Sequence, residues 1–246
     1  MKVSIITVCY NSESTIRDTI ESVMKQTYDN IEYIIVDGNS SDGTMGVVNE
    51  YKDFINVIIS EEDKGLYDAM NKGIGIASGD LIGVLNSDDI LSSASMIDEI
   101  VVAARDHDGV FADVGFYDDT LSKKTRHYSS KGFCKEKFSR GFMPAHPSCY
   151  LSKDVISLVG RYSLEYKIAA DFDYLVRVFL LPEVSLNYLD KEVVKMREGG
   201  VSTSGIAANI ILNKEIMSSC KKNGLSCSWL SILSKYPEKL LGLIFK

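Results

Sequence analysis

The chain has 246 residues, 45% of them apolar, with five cysteines and a formal net charge of −7. That length fits one large α/β domain, or a core domain with a tail, and supplies apolar side chains for a sizeable core. The acidic balance excludes a global basic footprint for nucleic acid, and no stretch approaches the roughly 18 apolar residues of a membrane span.

Met1-Lys2 leads directly into the short apolar run at 3–8, which predicts a buried strand rather than a leader peptide. Asn11 and Ser12 are expected to cap a helix whose apolar face is Ile16, Ile20, Val23 and Met24. Residues 31–36 predict a second strand, ending at Asp37-Gly38. Val47, Val48 and Tyr51 mark a short helix, and 55–59 a third strand. Leu66, Met70, Gly73, Ile74 and Ala77 predict a helix, and 81–85 a fourth strand that ends at Asn86-Ser87-Asp88-Asp89. Residues 106–140 are polar and aromatic and read as strands with a mobile loop. Residues 153–159 and 171–180 read as helices, 186–196 as a strand and 203–223 as a longer helix. Strands alternating with helices imply a mainly parallel sheet. Cys9, Cys134, Cys149, Cys220 and Cys227 form no CxxC pair and no zinc-spaced cluster, and so read as reduced thiols in a cytoplasmic compartment.

Polar clusters follow the first four strands: Tyr10-Asn11, 37–41, 61–64 and 86–89. In an open α/β sheet the carboxyl edge is where ligands bind. Asp88 and Asp89 put hard oxygen ligands at a strand end, suited to Mg²⁺ or Mn²⁺, although a capped turn has the same composition. Asp37, at a strand tip before Gly38, can accept hydrogen bonds from a base or ribose. The segment is neither GxGxxG nor a Walker loop.

Four runs carry a family resemblance. They are Val3-Ser4-Ile5-Ile6-Thr7-Val8-Cys9-Tyr10-Asn11-Ser12, Val36-Asp37-Gly38-Asn39-Ser40-Ser41-Asp42-Gly43-Thr44, Asp63-Lys64-Gly65-Leu66-Tyr67-Asp68-Ala69-Met70-Asn71-Lys72-Gly73, and Ala77-Ser78-Gly79-Asp80-Leu81 through Asn86-Ser87-Asp88-Asp89. With His146-Pro147-Ser148, Asp171-Phe172-Asp173, Arg177 and Gly199-Gly200-Val201-Ser202, the chain resembles the family 2 inverting glycosyltransferases. The likeness is to the bacterial branch that builds O-antigen, capsule and exopolysaccharide.

The resemblance implies a GT-A type α/β fold: a mainly parallel central sheet flanked by helices, with a Rossmann-like nucleotide-binding half, a smaller acceptor-binding half and a helical C-terminal tail. Residues 1–227 would be one domain, divided into 1–105 for the nucleotide-sugar, 106–202 for acceptor and catalysis, and a helix at 203–227. Residues 228–246 would be an amphipathic tail.

The implied activity is inverting transfer from a UDP-sugar to a hydroxyl of a lipid-linked saccharide of the undecaprenyl-diphosphate type. Val8 and Tyr10 would line the uracil pocket and Asp37 would hold the base. Asp63 and Lys64 would lie near ribose or diphosphate. Asp88 would bind ribose or the donor sugar, and Asp89, with Asp88, would form the site for Mn²⁺ or Mg²⁺. Gly38 stands where many members carry a second acidic residue. Asp171 is assigned as the catalytic base, with Asp173 the alternative, and Ala170 stands where an acid is usual. From the residues alone, Asp171 is also a helix cap and Asp173–Arg177 an i,i+4 ion pair. His146 and Asp173 are candidates for contact with acceptor or diphosphate, and Arg197 for closing over the diphosphate.

The tail carries Trp229, Leu230 and Leu233 among other apolar residues, with Lys235, Lys239 and Lys246. It would lie on the inner face of the membrane, or pack on its own domain or a second subunit; Pro237 would interrupt a single helix. Two other functions fit strand-tip carboxylates: a sugar nucleotidyltransferase and a non-catalytic nucleotide-binding module. Tyr10-Asn11-Ser12-Glu13 is unlike the glycine-rich basic loop of the first. No nucleic-acid partner is implied.

Overall fold

In the computed structural model, which describes residues 1–199 and 205–234, strand β1 (Val3–Cys9) is buried along its whole length. Successive side chains point to opposite sides of a strand. Val3, Ile5 and Cys9 therefore enter one core cluster, while Ile6 and Val8 enter another. A strand covered on both faces explains a continuous apolar run rather than alternation.

Helix α1 (Ile16–Met24) starts after Thr15, with no side-chain cap. The expected caps are engaged across the strand ends instead. Asn11, at φ 51, accepts the Ser41 N–H on Oδ1 at 2.9 Å. The hydroxyls of Ser12 and Ser87 lie 2.9 Å apart. Strand β2 (Ile31–Asp37) precedes α2 (Thr44–Glu50). Strand β3 (Val57–Ser60) begins two residues later than expected. At that point the Asn56 side-chain oxygen takes the Tyr33 N–H at 2.7 Å, while the Asn56 N–H donates to the Tyr33 carbonyl at 2.9 Å. Helix α3 (Leu66–Ile76) and strand β4 (Leu81–Val84) follow.

The second half contains β5 (Ile90–Leu91), α4 (Met96–Ala104), β6 (Gly109–Tyr117), β7 (Lys124–Tyr128), β8 (Tyr150–Ser152), α5 (Lys153–Val159), α6 (Ala170–Leu180), β9 (Leu186–Arg197), α7 (Ile206–Lys222) and α8 (Trp229–Leu233). The sheet order is β3-β2-β1-β4-β8-β6-β9-β5, with β7 paired to β6. Strands β3, β2, β1 and β4 are parallel, as are β6 and β9. Strand β8 runs antiparallel between β4 and β6 and joins the two halves. The expected α/β architecture is present. The strand order turns at β1, with β2 on one side and β4 on the other, which makes the carboxyl ends of β1 and β4 the edge where an open α/β sheet takes its ligand.

Helix α6 is buried between the sheet and α7, and Ile232 of α8 is 0% exposed against Phe138, Phe172 and Cys220. Among the described residues, no helix is long and apolar enough to cross a membrane. Gly200, Val201 and Ser202 of the expected diphosphate loop, and the tail from 235 to 246, lie outside the described residues.

Candidate active site

Three strand tips build this edge. Val8 is 2% exposed and belongs to the core beneath the strand tips, whereas Tyr10 is 64% exposed. Asp37 ends β2 fully buried. Its Oδ2 accepts the Ser60 hydroxyl at 2.7 Å and the Ser40 N–H at 3.1 Å, and Oδ1 accepts the Ser40 hydroxyl. The Cys9 thiol lies 3.7 Å from Oδ1. Burial, then the Asp37 charge, push that thiol up, so it stays a donor. Asp37 thus sits under the surface with four donors around it.

Directly above is Gly38, where a Cβ would stand 2.5 Å from Asp63 Oδ2 and 3.4 Å from Tyr10 Cδ2. The carboxylate of Asp63 occupies the room that a side chain at 38 would need, beside the Tyr10 ring. Its Oδ1 is held by the Gly65 N–H at 2.7 Å. Gly65 has φ 107, a conformation that favours glycine, and from there the chain enters α3. Lys64 between them is exposed.

Asp88 and Asp89 follow β4. Asp89 is 1% exposed; Asn86 Nδ2 donates to its Oδ2 at 3.0 Å, and its main-chain carbonyl accepts the Thr19 hydroxyl at 2.7 Å. Burial, reinforced by the charge of Asp88, holds the Asp89 carboxyl well above the usual carboxylate range. Burial also raises Asp88. Neither forms an ion pair among the described residues, because the guanidinium of Arg197 turns elsewhere: Nη1 to the Asp88 main-chain carbonyl at 2.8 Å, Nε to the Asp119 carbonyl at 2.9 Å, and Nη2 to Asp18. Arg197, 9% exposed, braces the acidic turn from behind.

The amide oxygen of Asn86 is buried and has no hydrogen-bond partner among the described residues. Two desolvated carboxylates and an orphaned amide oxygen are a hard-oxygen set that suits Mg²⁺ or Mn²⁺. Among the described residues no three His, Cys, Asp or Glu side chains converge on a metal position. The chain would therefore supply part of a coordination shell and leave the rest to phosphate and water, as Mg²⁺ commonly has it.

Asp171 lies in the first turn of α6. Its Oδ1 accepts the Phe172 N–H at 2.8 Å and lies 3.4 Å from the Tyr67 hydroxyl. Burial pushes the carboxyl up to about 6, against these two bonds. The helix has no side-chain cap bond at its N-cap Ala169, but the segment leading into it is held from outside. Glu215 of α7 accepts the N–H groups of Lys167, Ile168 and Ala169, each at 2.9 Å. Asp171 itself satisfies the Phe172 N–H of the first turn, so it keeps a capping role beside any catalytic one.

His146 and Asp173, the candidates for contact with acceptor or diphosphate, are buried and bonded to neighbouring side chains. His146 is 7% exposed, with Nε2 2.6 Å from the Tyr162 hydroxyl, and burial lowers its ring to about 4, so it is neutral. Asp173 pairs with Arg177 Nε at 2.9 Å and accepts the Ser219 hydroxyl at 2.8 Å, which ties α6 to α7. Sequence reasoning misses Tyr67, Asn71, Glu215 and Asp18. The first two lie inside one motif run, four residues apart on one helix face. Glu215 and Asp18 act on residues 46 to 48 and 179 positions away, and no local pattern marks such pairings.

The model of the family described as "Glycosyl transferase family 2" matches residues 4–152. A PGL/p-HBAD biosynthesis glycosyltransferase of Mycobacterium bovis is 27% identical over 220 residues, covering 87% of this chain and 82% of the relative. S. aureus TarS, solved in complex with UDP-GlcNAc, superposes with a TM-score of 0.70 at 18% identity, over 89% of this chain and 66% of that one. A mannosyltransferase from Pyrobaculum calidifontis, solved with GDP-Man and Mn²⁺, gives a TM-score of 0.62 at 16% identity, over 89% and 62%. At these identities the two structures speak to the fold.

Proposed function

Because the chain belongs to glycosyl transferase family 2, and so is a glycosyltransferase, we propose that it moves a sugar from a UDP-sugar to a hydroxyl of a lipid-linked saccharide, with inversion at the anomeric carbon. The observation that carries this reading is the desolvated pair Asp88 and Asp89 at the sheet edge where β1 and β4 end.

In this reading Tyr10 stacks on the uracil, above Asp37, while Asp63 and Lys64 meet the ribose or diphosphate. Asp88 takes the ribose or donor sugar. Asp89, with Asp88 and the free Asn86 oxygen, would hold Mn²⁺ or Mg²⁺; once bound, the cation offsets the charge that grows on the departing diphosphate. Arg197 keeps the acidic turn in place. The acceptor oxygen attacks the anomeric carbon, a new C–O bond forms, and the bond to UDP breaks with its electron pair kept by the diphosphate. Asp171 takes the acceptor proton. A carboxyl near 6 suits a general base, being ionised at neutral pH yet more basic than an ordinary carboxylate.

TarS and the mannosyltransferase bind nucleotide-sugars, one of them with Mn²⁺, which supports the donor class and the metal. Peripheral contact with the inner face of the cell membrane is supported by α8. There Trp229, Leu230 and Leu233 are 43%, 83% and 50% exposed, while Ile232 is buried. Such contact would bring the site to an acceptor carried on a lipid, as in assembly of bacterial surface polysaccharide.

The test is a donor screen scored by nucleotide release, with Mn²⁺ present and a short lipid-diphosphate saccharide as acceptor. Acceptor-dependent UDP release from one UDP-sugar is expected. Turnover confined to GDP-sugars, or undiminished in EDTA, would overturn the corresponding part.

A further inference from the structure

The geometry points to Tyr67 as the residue that positions Asp171 for proton transfer, through a hydroxyl reaching from the donor-side helix α3 to the start of α6. The inference rests on the reading of Asp171 as the base. Tyr67 is 8% exposed and sits one residue inside α3, just after the Asp63-Lys64-Gly65 turn. Its hydroxyl donates to the Ile168 carbonyl at 2.6 Å and lies 3.4 Å from Asp171 Oδ1. The ring stacks on Tyr162 with centroids 6.0 Å apart, and Tyr162 stacks on Tyr174 at 4.1 Å. One helical turn along α3, Asn71 donates to the Tyr162 carbonyl at 2.9 Å and accepts its N–H at 2.8 Å. Helix α3 thus grips the segment before α6 twice, and only the Tyr67 contact reaches the carboxylate.

The titratable groups facing Asp171 are Tyr67 on α3, Tyr162 ahead of α6, Cys149 beside β8 and Glu215 on α7. Burial holds Tyr67, Tyr162 and the Cys149 thiol up, the thiol to about 12. All three keep their protons where Asp171 titrates, so the Tyr67 hydroxyl stays a donor, its one proton shared between the Ile168 carbonyl at 2.6 Å and Asp171 Oδ1 at 3.4 Å. Its bond favours the ionised carboxylate, alongside the Phe172 N–H, against burial and the Glu215 charge. One tyrosine then sets both the orientation and the basicity of Asp171, from the helix that opens at the donor turn.

Tyr67→Phe deletes the hydroxyl and keeps the stacked ring. The experiment compares it with wild type, Asp171→Asn and Asn71→Ala, in kcat and KM from pH 5 to 9 with UDP affinity and Tm alongside. For Tyr67→Phe, kcat should fall about tenfold at neutral pH with donor KM and UDP affinity unchanged, the scale of one lost bond to a charged group. The acid limb should move to higher pH, so the loss is larger at pH 6 than at pH 8. Asn71→Ala, which loosens the same segment without touching the carboxylate, should lower Tm and leave the limb in place. An unmoved limb in Tyr67→Phe, with Asp171→Asn inactive, would overturn the role of Tyr67 alone. Retained transfer in Asp171→Asn would overturn the base assignment, and the role of Tyr67 with it.

Discussion

Arg197 donates Nη1 to the main-chain carbonyl of Asp88 at 2.8 Å, rather than pairing with the carboxylate of Asp88 or Asp89. The guanidinium fork meets two carbonyls and Asp18 at once, which a lysine ammonium on a flexible stem cannot reproduce. Arg197→Ala should lower kcat/KM by roughly 10- to 100-fold, as loss of an outer-shell support does at metal sites. Arg197→Lys should recover little of it. Nucleotide release at saturating Mn²⁺ measures both, and near-complete rescue by lysine would mean that charge alone matters.

Asp89→Asn should abolish metal-dependent turnover while leaving Tm close to wild type, because the side chain keeps its size. In the wild type, burial and the Asp88 charge raise the Asp89 carboxyl, so protons compete with the cation. Mn²⁺ affinity, titrated with UDP present, should strengthen as pH rises. Full activity of wild type in EDTA would count against the metal.

Asp171→Asn should cut transfer by about 10²- to 10⁴-fold, the usual contribution of a general base, with UDP-sugar affinity kept. The wild-type carboxyl lies near 6. The ionised form is the active one, so kcat/KM should be flat above that pH and fall about tenfold per unit below it. Activity that rises on acidification would place the base elsewhere.

The parallel core and its strand tips were legible because they are local. A mainly apolar strand of seven residues buried on both faces has one plausible structure, and the polar residues after it must lie at its carboxyl end. Helix starts were less legible: Asn11 and Ser12 have the composition of caps, but bonds to Ser41 and Ser87 claim them. The setting of Asp171 was out of reach, since Glu215, far along the chain, holds the segment just before its helix and only the folded packing of α7 on α6 brings it there.

Helix α8 separates two roles that the sequence of the tail left mixed. Ile232→Ala removes a fully buried side chain and should cost about 2 to 5 kcal/mol of stability. Leu230→Ser with Leu233→Ser alters the exposed side and should leave Tm near wild type while reducing sedimentation with anionic vesicles. Unchanged sedimentation of the double variant would argue against membrane contact through this helix.

The absent side chain of Gly38 makes two distant positions compete for one volume. Its missing Cβ is the space into which Asp63 Oδ2 projects, 2.5 Å from where that carbon would be. A strand tip built this way has room for a single acid, delivered either from position 38 or from position 63. Chains that place an acidic residue at the first should carry a small or outward-turned one at the second. Transplanting an acid onto position 38 alone would expel Asp63 and unlatch the Gly65 turn that opens α3. An acid moved to position 38 should therefore be accompanied by a change at position 63.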